Sequence, residues 1–412
     1  MNDADLMTEG FKRASDQLRR AATPDGFVAS AYERENYRRI WARDGVITLL
    51  AALNLKDDEL TKSALATLRT LARYRGPHGE IPSNVDAVQG RVSYGGTAGR
   101  VDADLWFVIG CHRYWQVTQD NSFLEEFLPS LQKVEFLLGA WEFNNKGLVY
   151  VPETGDWADE YLQHGYVLYD QLLYWRALRG LSEIHEAMRG SASNLLQDKI
   201  DSLVGRIKAN YWFNHDCDVN KAGVYHPVMF EKGCKVAENR ETYWLPYFSP
   251  TGYGYRFDAM ANVLVSLLGI ATKEQQEKVD DYINSNIVAD KLKLLPAFSP
   301  VIKEIDKDWE ELQSTFIYTF RNKPYEYQNG GLWPMITGFY VANLAQRGKT
   351  DRAKEYLEAI HQANKLGEEG DQWGFYEFIN GKTLKPGGMR AQTWSAAAAV
   401  MGKLALDGKN IL

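Results

Sequence analysis

The chain has 412 residues, 45% of them hydrophobic, with 47 basic and 54 acidic residues for a formal charge of -7. That apolar supply fills a large core, and the absence of any Lys/Arg tract or acidic tail argues against nucleic acid and anionic membrane as partners. No apolar stretch reaches the roughly 20 residues of a membrane span, the start Met1-Asn2-Asp3-Ala4-Asp5 lacks signal-peptide character, and Cys111, Cys217 and Cys234 are too few for a disulfide framework, so a reducing, cytoplasmic setting is expected.

Apolar spacing predicts twelve helices, near 5–21, 43–54, 57–75, 102–119, 121–142, 166–188, 192–211, 254–270, 273–287, 332–347, 350–366 and 391–407. Their character alternates. The stretch 350–366 carries a narrow stripe of Ala353, Tyr356, Leu357, Ile360 and Ala363 among charges, whereas 332–347 is apolar nearly all round. A helix apolar on every side must be buried on every side, so the apolar members form an inner ring and the amphipathic ones wrap it. Six inner and six outer helices make an (α/α)6 barrel. Short breakers within pairs and long connections between them bring 76–101, 143–165, 212–253, 288–331 and 367–390 to one end of that barrel, where long loops tend to be functional. No linker divides the chain, which reads as a single domain over 1–412.

Polar and aromatic motifs gather at that end. Arg43 and Asp44, in Trp41-Ala42-Arg43-Asp44, open the first inner helix, Asp102 and Asp104 the second, and Asp156, Trp157 and Asp159 precede the third. Arg256 and Asp258 stand at the fourth, Gln328 and Asn329 ahead of Trp333 at the fifth, and Arg390, Gln392 and Trp394 at the sixth. Each alone reads as a helix cap, an arginine partner or a turn. Repeated six times around one mouth, they read as a funnel for sugar, with carboxylates and amides for hydroxyls and indoles for ring faces.

The turn Glu153-Thr154-Gly155-Asp156-Trp157-Ala158-Asp159 sets carboxylates beside an indole, where desolvation keeps a carboxylic acid protonated near neutral pH. An inverting glycosidase needs a second carboxylate about 6.5 to 9.5 Å away to activate water. Glu377, among the aromatics of Gln372-Trp373-Gly374-Phe375-Tyr376-Glu377-Phe378, is the candidate, with Glu326 and Glu153 as rivals; the alternative is a loop carboxylate bound to Arg390.

Val101-Asp102-Ala103-Asp104-Leu105-Trp106, Trp157-Ala158-Asp159, His164-Gly165-Tyr166 leading to Gln171, Tyr327-Gln328-Asn329-Gly330-Gly331-Leu332-Trp333-Pro334, Tyr376-Glu377 and Gln392-Thr393-Trp394-Ser395 together resemble the (α/α)6 glycoside hydrolases. The likeness is greatest to neutral/alkaline invertases, and next to the amylo-α-1,6-glucosidase domain of glycogen-debranching enzymes. It implies that Asp159 is the general acid and Glu377 the base, with inversion at a glucosyl carbon. Tyr169 stands where the invertases carry glutamate, and Glu160-Tyr161 where they carry arginines, so the leaving group is in question. The expectation is a metal-independent, cofactor-free hydrolase of a short α-glucoside such as sucrose. Arg43, Asp44, Asp102, Asp156, His164, Gln171, Gln328, Asn329 and Gln392 are then candidates for holding sugar, and Trp157, Trp333 and Trp394 for walls. Alternatives are a debranching α-1,6-glucosidase, a sugar epimerase or isomerase on the same barrel, disfavoured because His164 alone among histidines sits in a motif at the mouth, and a non-catalytic sugar-binding protein. Phosphorolysis and the oligomeric state stay open.

Overall fold

A computed structural model describes residues 3–32, 36–158, 160–190, 194–217, 223–287, 292–316, 319–368 and 372–412. Asp159 therefore lies outside the described residues. Fourteen α-helices occur among the described residues: α1 (Asp3–Ala21), α2 (Ala42–Ala52), α3 (Asp58–Arg73), α4 (Val101–Thr118), α5 (Asn121–Ala140), α6 (Leu168–Arg189), α7 (Asn194–Tyr211), α8 (Pro227–Val236), α9 (Ala259–Leu267), α10 (Lys273–Tyr282), α11 (Trp309–Ser314), α12 (Pro334–Gln346), α13 (Thr350–Lys365) and α14 (Thr393–Leu406). All twelve predicted helices are present, and the fold is an (α/α)6 barrel. The additions, α8 and α11, are short helices inside long loops.

The inner ring closes on itself, because α2 packs on α4, α4 on α6, α6 on α9, α9 on α12, α12 on α14 and α14 back on α2. Every residue of α2 is buried, and α12 is buried from Pro334 through Leu344. Three outer helices, α3, α5 and α10, start from strong polar caps: Asp57 accepts from the Glu59 and Leu60 amides, Asp120 from Ser122 and Phe123, and Thr272 with Gln275 forms a reciprocal capping box. The inner helices differ. No side-chain cap bonds the starts of α2, α4, α6, α12 or α14. Their positive ends meet at the loop face instead, and Asp44, Asp102, Asp104 and Asp170 stand in their first turns, where the helix dipole favours anions.

Helix α9 begins later than predicted. Phe257-Asp258 pairs with Phe298-Ser299 as a short antiparallel ribbon, and the Asp258 carboxylate then caps the helix through the Ala261 amide. Similar ribbons stiffen the other long loops, joining 40–41 to 84–86 and 91–93, 166–167 to 247–249 and 252–253, and 378–379 to 386–387.

Cys217 and Cys234 form a disulfide with a Cα separation of 5.7 Å, against the expectation from cysteine count, while Cys111 is free and buried. Packing brings the pair together: Phe213 after α7 meets Phe230 of α8 and Tyr253, each at 4.9 Å between ring centres. No helix among the described residues is long and apolar enough to cross a membrane.

Candidate active site

The inner-helix starts and the loops above them enclose a cavity of about 440 Å³ lined by Arg43, Asp44, Trp157, Gln328, Trp333, Glu377 and Trp394 among the predicted residues. Its back wall is aromatic. Trp333 meets Trp157 and Trp394 edge to face, both at 5.6 Å, and its indole N–H donates to the Tyr327 carbonyl. The Trp157 and Trp394 indole nitrogens have no hydrogen-bonding partner among the described residues.

Arg43 is clamped. Its Nη1 donates to Asp102 Oδ2 at 2.8 Å, its Nε lies 4.0 Å from Asp44 Oδ2, and its guanidinium sits 5.7 Å from the Trp394 ring centre. Gln392 Nε2 in turn donates to Asp44 Oδ1 at 3.1 Å. Asp102 and Gln392 are thus absent from the cavity lining and orient the Arg43 and Asp44 that line it.

Glu377 is 3% exposed and shared between this cavity and a second lobe of similar size lined by Tyr32, Arg321, Lys323, Glu326 and Arg390. Tyr37 donates to both carboxylate oxygens at 3.2 Å, the Met389 amide donates to Oε2 at 3.2 Å, and Arg321 Nη1 lies 3.4 Å from the Tyr37 hydroxyl. Gly388, at φ +72°, makes room for it, since a Cβ there would come within 2.4 Å of Glu377 Oε2. Burial pushes the Glu377 carboxyl up to about 7; the Met389 amide and Arg321 oppose the rise, Asp44 adds to it, and Tyr37 opposes it.

Two short segments, 155–158 and 160–165, make a strip bonded to the neighbouring loops and helix starts. The Val101 amide of α4 donates to the Gly155 carbonyl, Gln328 Nε2 to the Trp157 carbonyl at 3.2 Å, Thr315 and Asn322 to the Glu160 carbonyl, and Gln163 Nε2 to Asp258 Oδ2 at 3.4 Å. Glu160 lines the cavity.

Several predicted contacts belong to the scaffold instead of the cavity. Asp156 is fully buried and accepts the Ala158 amide. Gln171 bonds the Val149 amide and carbonyl, holding the loop before the strip. Asn329 bonds both sides of Ile302 and the Asn322 carbonyl. His164 packs beside Tyr247, outside the cavity. Each lies in a motif at the mouth, but Gln171 and Asn329 spend their polar atoms on backbone, and Asp156 spends one oxygen the same way. Conversely, Tyr37, Trp41, Asn84, Thr97, Arg100, Arg321 and Tyr327 line the cavity from long loops without helical spacing to flag them. Only Trp41 and Tyr327 stood in a recognised motif.

Beneath the strip lie buried aspartates. Burial raises the Asp170 carboxyl well above its ordinary range, and Asp156, Asp102 and Asp258 add to the rise; neither Asp170 oxygen has a partner among the described residues. Burial also lifts Asp258 to about 7. Acids raised on folding stabilise fully below their unfolded values, and that stability is lost as pH rises through the folded ones. The thermal midpoint should therefore fall between about pH 5 and pH 8, and Asp170→Asn should raise it at pH 8 and flatten the slope, read by circular dichroism. A midpoint lowered at every pH would show that ionised Asp170 is paired and needed. No group of His, Cys, Asp and Glu among the described residues is placed to hold a metal ion.

A family model described as alkaline and neutral invertase matches residues 21–408. Neutral/alkaline invertase 1, mitochondrial, of Oryza sativa subsp. japonica is 22% identical over 428 residues, covering 92% of this chain; the match spans 66% of that protein, just under two thirds. Probable alkaline/neutral invertase D of Arabidopsis thaliana is 23% identical, covering 96% of this chain and 82% of its own. Among solved structures, the GH63 mannosylglycerate hydrolase of Thermus thermophilus in complex with Tris superposes with a TM-score of 0.63 at 13% identity, covering 95% of this chain and 99% of that one. A bacterial glucoamylase complexed with acarbose gives 0.67 at 15% identity, covering 97% and 56%. At these identities the structures share the fold.

Proposed function

This chain belongs to the alkaline and neutral invertase family, and we propose that it is an inverting, metal-independent glycoside hydrolase, a single catalytic domain cleaving sucrose or another short α-glucoside. The observation that carries this reading is Glu377: a buried carboxyl raised to about 7, held by Tyr37 and the Met389 amide at the edge of a tryptophan-walled cavity of about 440 Å³.

In this reading Asp159 gives its proton to the glycosidic oxygen as the bond to the anomeric carbon breaks. Water attacks that carbon from the opposite face and gives its proton to Glu377. Arg43, Asp44 and Gln328 hold glucose hydroxyls, with Trp157, Trp333 and Trp394 as walls. Tyr169 is buried, accepting from Trp106 Nε1 at 2.7 Å and lying 3.4 Å from Asp102, so its replacement of the invertases' glutamate acts through the Arg43 clamp. Glu160 lines the cavity directly and bears on leaving-group choice.

A screen of sucrose, trehalose, maltose, isomaltose and glucosylglycerate, with and without phosphate, tests the substrate. Cleavage of one of them without phosphate is expected; a preference for long branched dextrins over every disaccharide would overturn the small-substrate reading. Proton NMR before mutarotation should show the β anomer of glucose first. An α anomer would mean a nucleophile at the position assigned to a base.

A further inference from the structure

Beyond the strip lies another cavity, of about 480 Å³, which shares no lining residue with the cleft that holds Trp157. Five tyrosines line it: Tyr161, Tyr243, Tyr247, Tyr253 and Tyr255. We propose that this cavity is an accessory site for a second saccharide molecule of one or two rings. The proposal stands apart from the hydrolytic reading of the cleft.

Its chemistry is that of a sugar site. Tyrosine rings offer flat faces to the C–H side of a pyranose and hydroxyls to its edge. Buried polar groups in the wall lack partners: the Tyr161 and Tyr253 hydroxyls and Gln163 Oε1, on residues 2%, 9% and 1% exposed, have none among the described residues. Such groups are costly unless something bonds them, and a polyhydroxylated ligand supplies donors and acceptors together. Arg256 Nη1 and Asp308 Oδ2 pair at 2.6 Å in the same wall, a charged fork able to grip vicinal hydroxyls. The two cavities adjoin through one aromatic stack, with Phe298 6.0 Å from Trp157 and 4.2 Å from Tyr161. A purely apolar or strongly charged ligand fits less well, since three carboxylates (Glu238, Asp308 and Glu311) and two cations (Arg256 and Lys307) share the wall with the tyrosine rings, a mixture of signs that suits a neutral polyol.

Amide hydrogen exchange on full-length Glu377→Gln, with sucrose and separately glucose as probes, tests the site. At ten times the dissociation constant, exchange through openings that release the ligand should slow about tenfold in segments 243–256 and 300–311, neither of which contributes to the cleft. The slowing should persist when Arg321→Ala weakens the cleft and vanish in Tyr247→Ala and in the more exposed Tyr255→Ala. Slowing confined to cleft segment 83–97 would overturn the proposal and leave the cleft reading intact. Slowing at 243–256 that disappears with Arg321→Ala would overturn it too, as an echo of cleft occupancy. Slowing nowhere with either sugar also overturns it, and hydrolysis by the wild-type chain then judges the cleft separately.

Discussion

Glu377→Gln is expected to lower kcat/KM on the cleaved glucoside by roughly 100- to 10,000-fold and, at the same time, to raise the thermal midpoint above pH 7. The amide keeps the shape and still accepts the Met389 N–H, but it cannot take a proton from water. Burial lifts the carboxyl from 4.5 to about 7, so the protonated form is favoured in the folded chain. Stability from that proton is complete below the unfolded value and lost as pH rises through about 7. Keeping the base ionised at pH 8 therefore costs on the order of 3 kcal/mol, which a neutral glutamine avoids. Activity, which needs the ionised form, should instead climb through about pH 7 in the wild type. Tyr37→Phe removes a donor to the carboxylate and should move that climb to higher pH. Retained activity in Glu377→Gln would remove the base assignment, and a midpoint lowered at all pH values would make Glu377 structural.

The barrel was legible because its cause is periodic. Helices apolar all round have no stable place except an inner ring, and α12 and α14 announce themselves that way. Long loops before apolar helices likewise placed the mouth. Less legible was which polar residue at the mouth touches the cavity. Asp44, Asp102 and Asp156 look alike in sequence, yet one lines the cavity, one braces Arg43 and one bonds a turn amide. The difference is decided by pairings across large sequence separations, such as Gln392 with Asp44, which no local pattern encodes. Tyr37 and Arg321 escaped notice for the same reason: each sits in a loop and acquires meaning from Glu377, over 50 positions from the nearer of them. The left-handed backbone at Tyr325, Tyr327, Trp373 and Phe375, in the loops that carry Gln328 and Glu377, is likewise carried by residues that do not advertise it.

Asp159→Asn is expected to cut hydrolysis of a natural glucoside by roughly 100- to 10,000-fold while sparing α-glucosyl fluoride, whose leaving group departs with little protonation. The base and its water stay in place, so the activated substrate bypasses the missing acid. Glu377→Gln removes the step that both substrates need and should gain no such rescue. The pattern across neighbours then locates the acid. Asp156 is fully buried, bonded to the Ala158 amide and absent from the cavity, so Asp156→Asn should change stability more than the fluoride ratio. Glu160 lines the cavity one residue beyond the assigned acid, with its carbonyl fixed by Thr315 and Asn322. Fluoride rescue in Glu160→Gln but not Asp159→Asn would move the acid to Glu160 and explain why this chain carries a carboxylate where the invertases carry arginine. Rescue in neither, with helical circular dichroism unchanged, would mean that protonation does not limit the reaction. The proposed acid-base pair would then fail even if Glu377 proved essential.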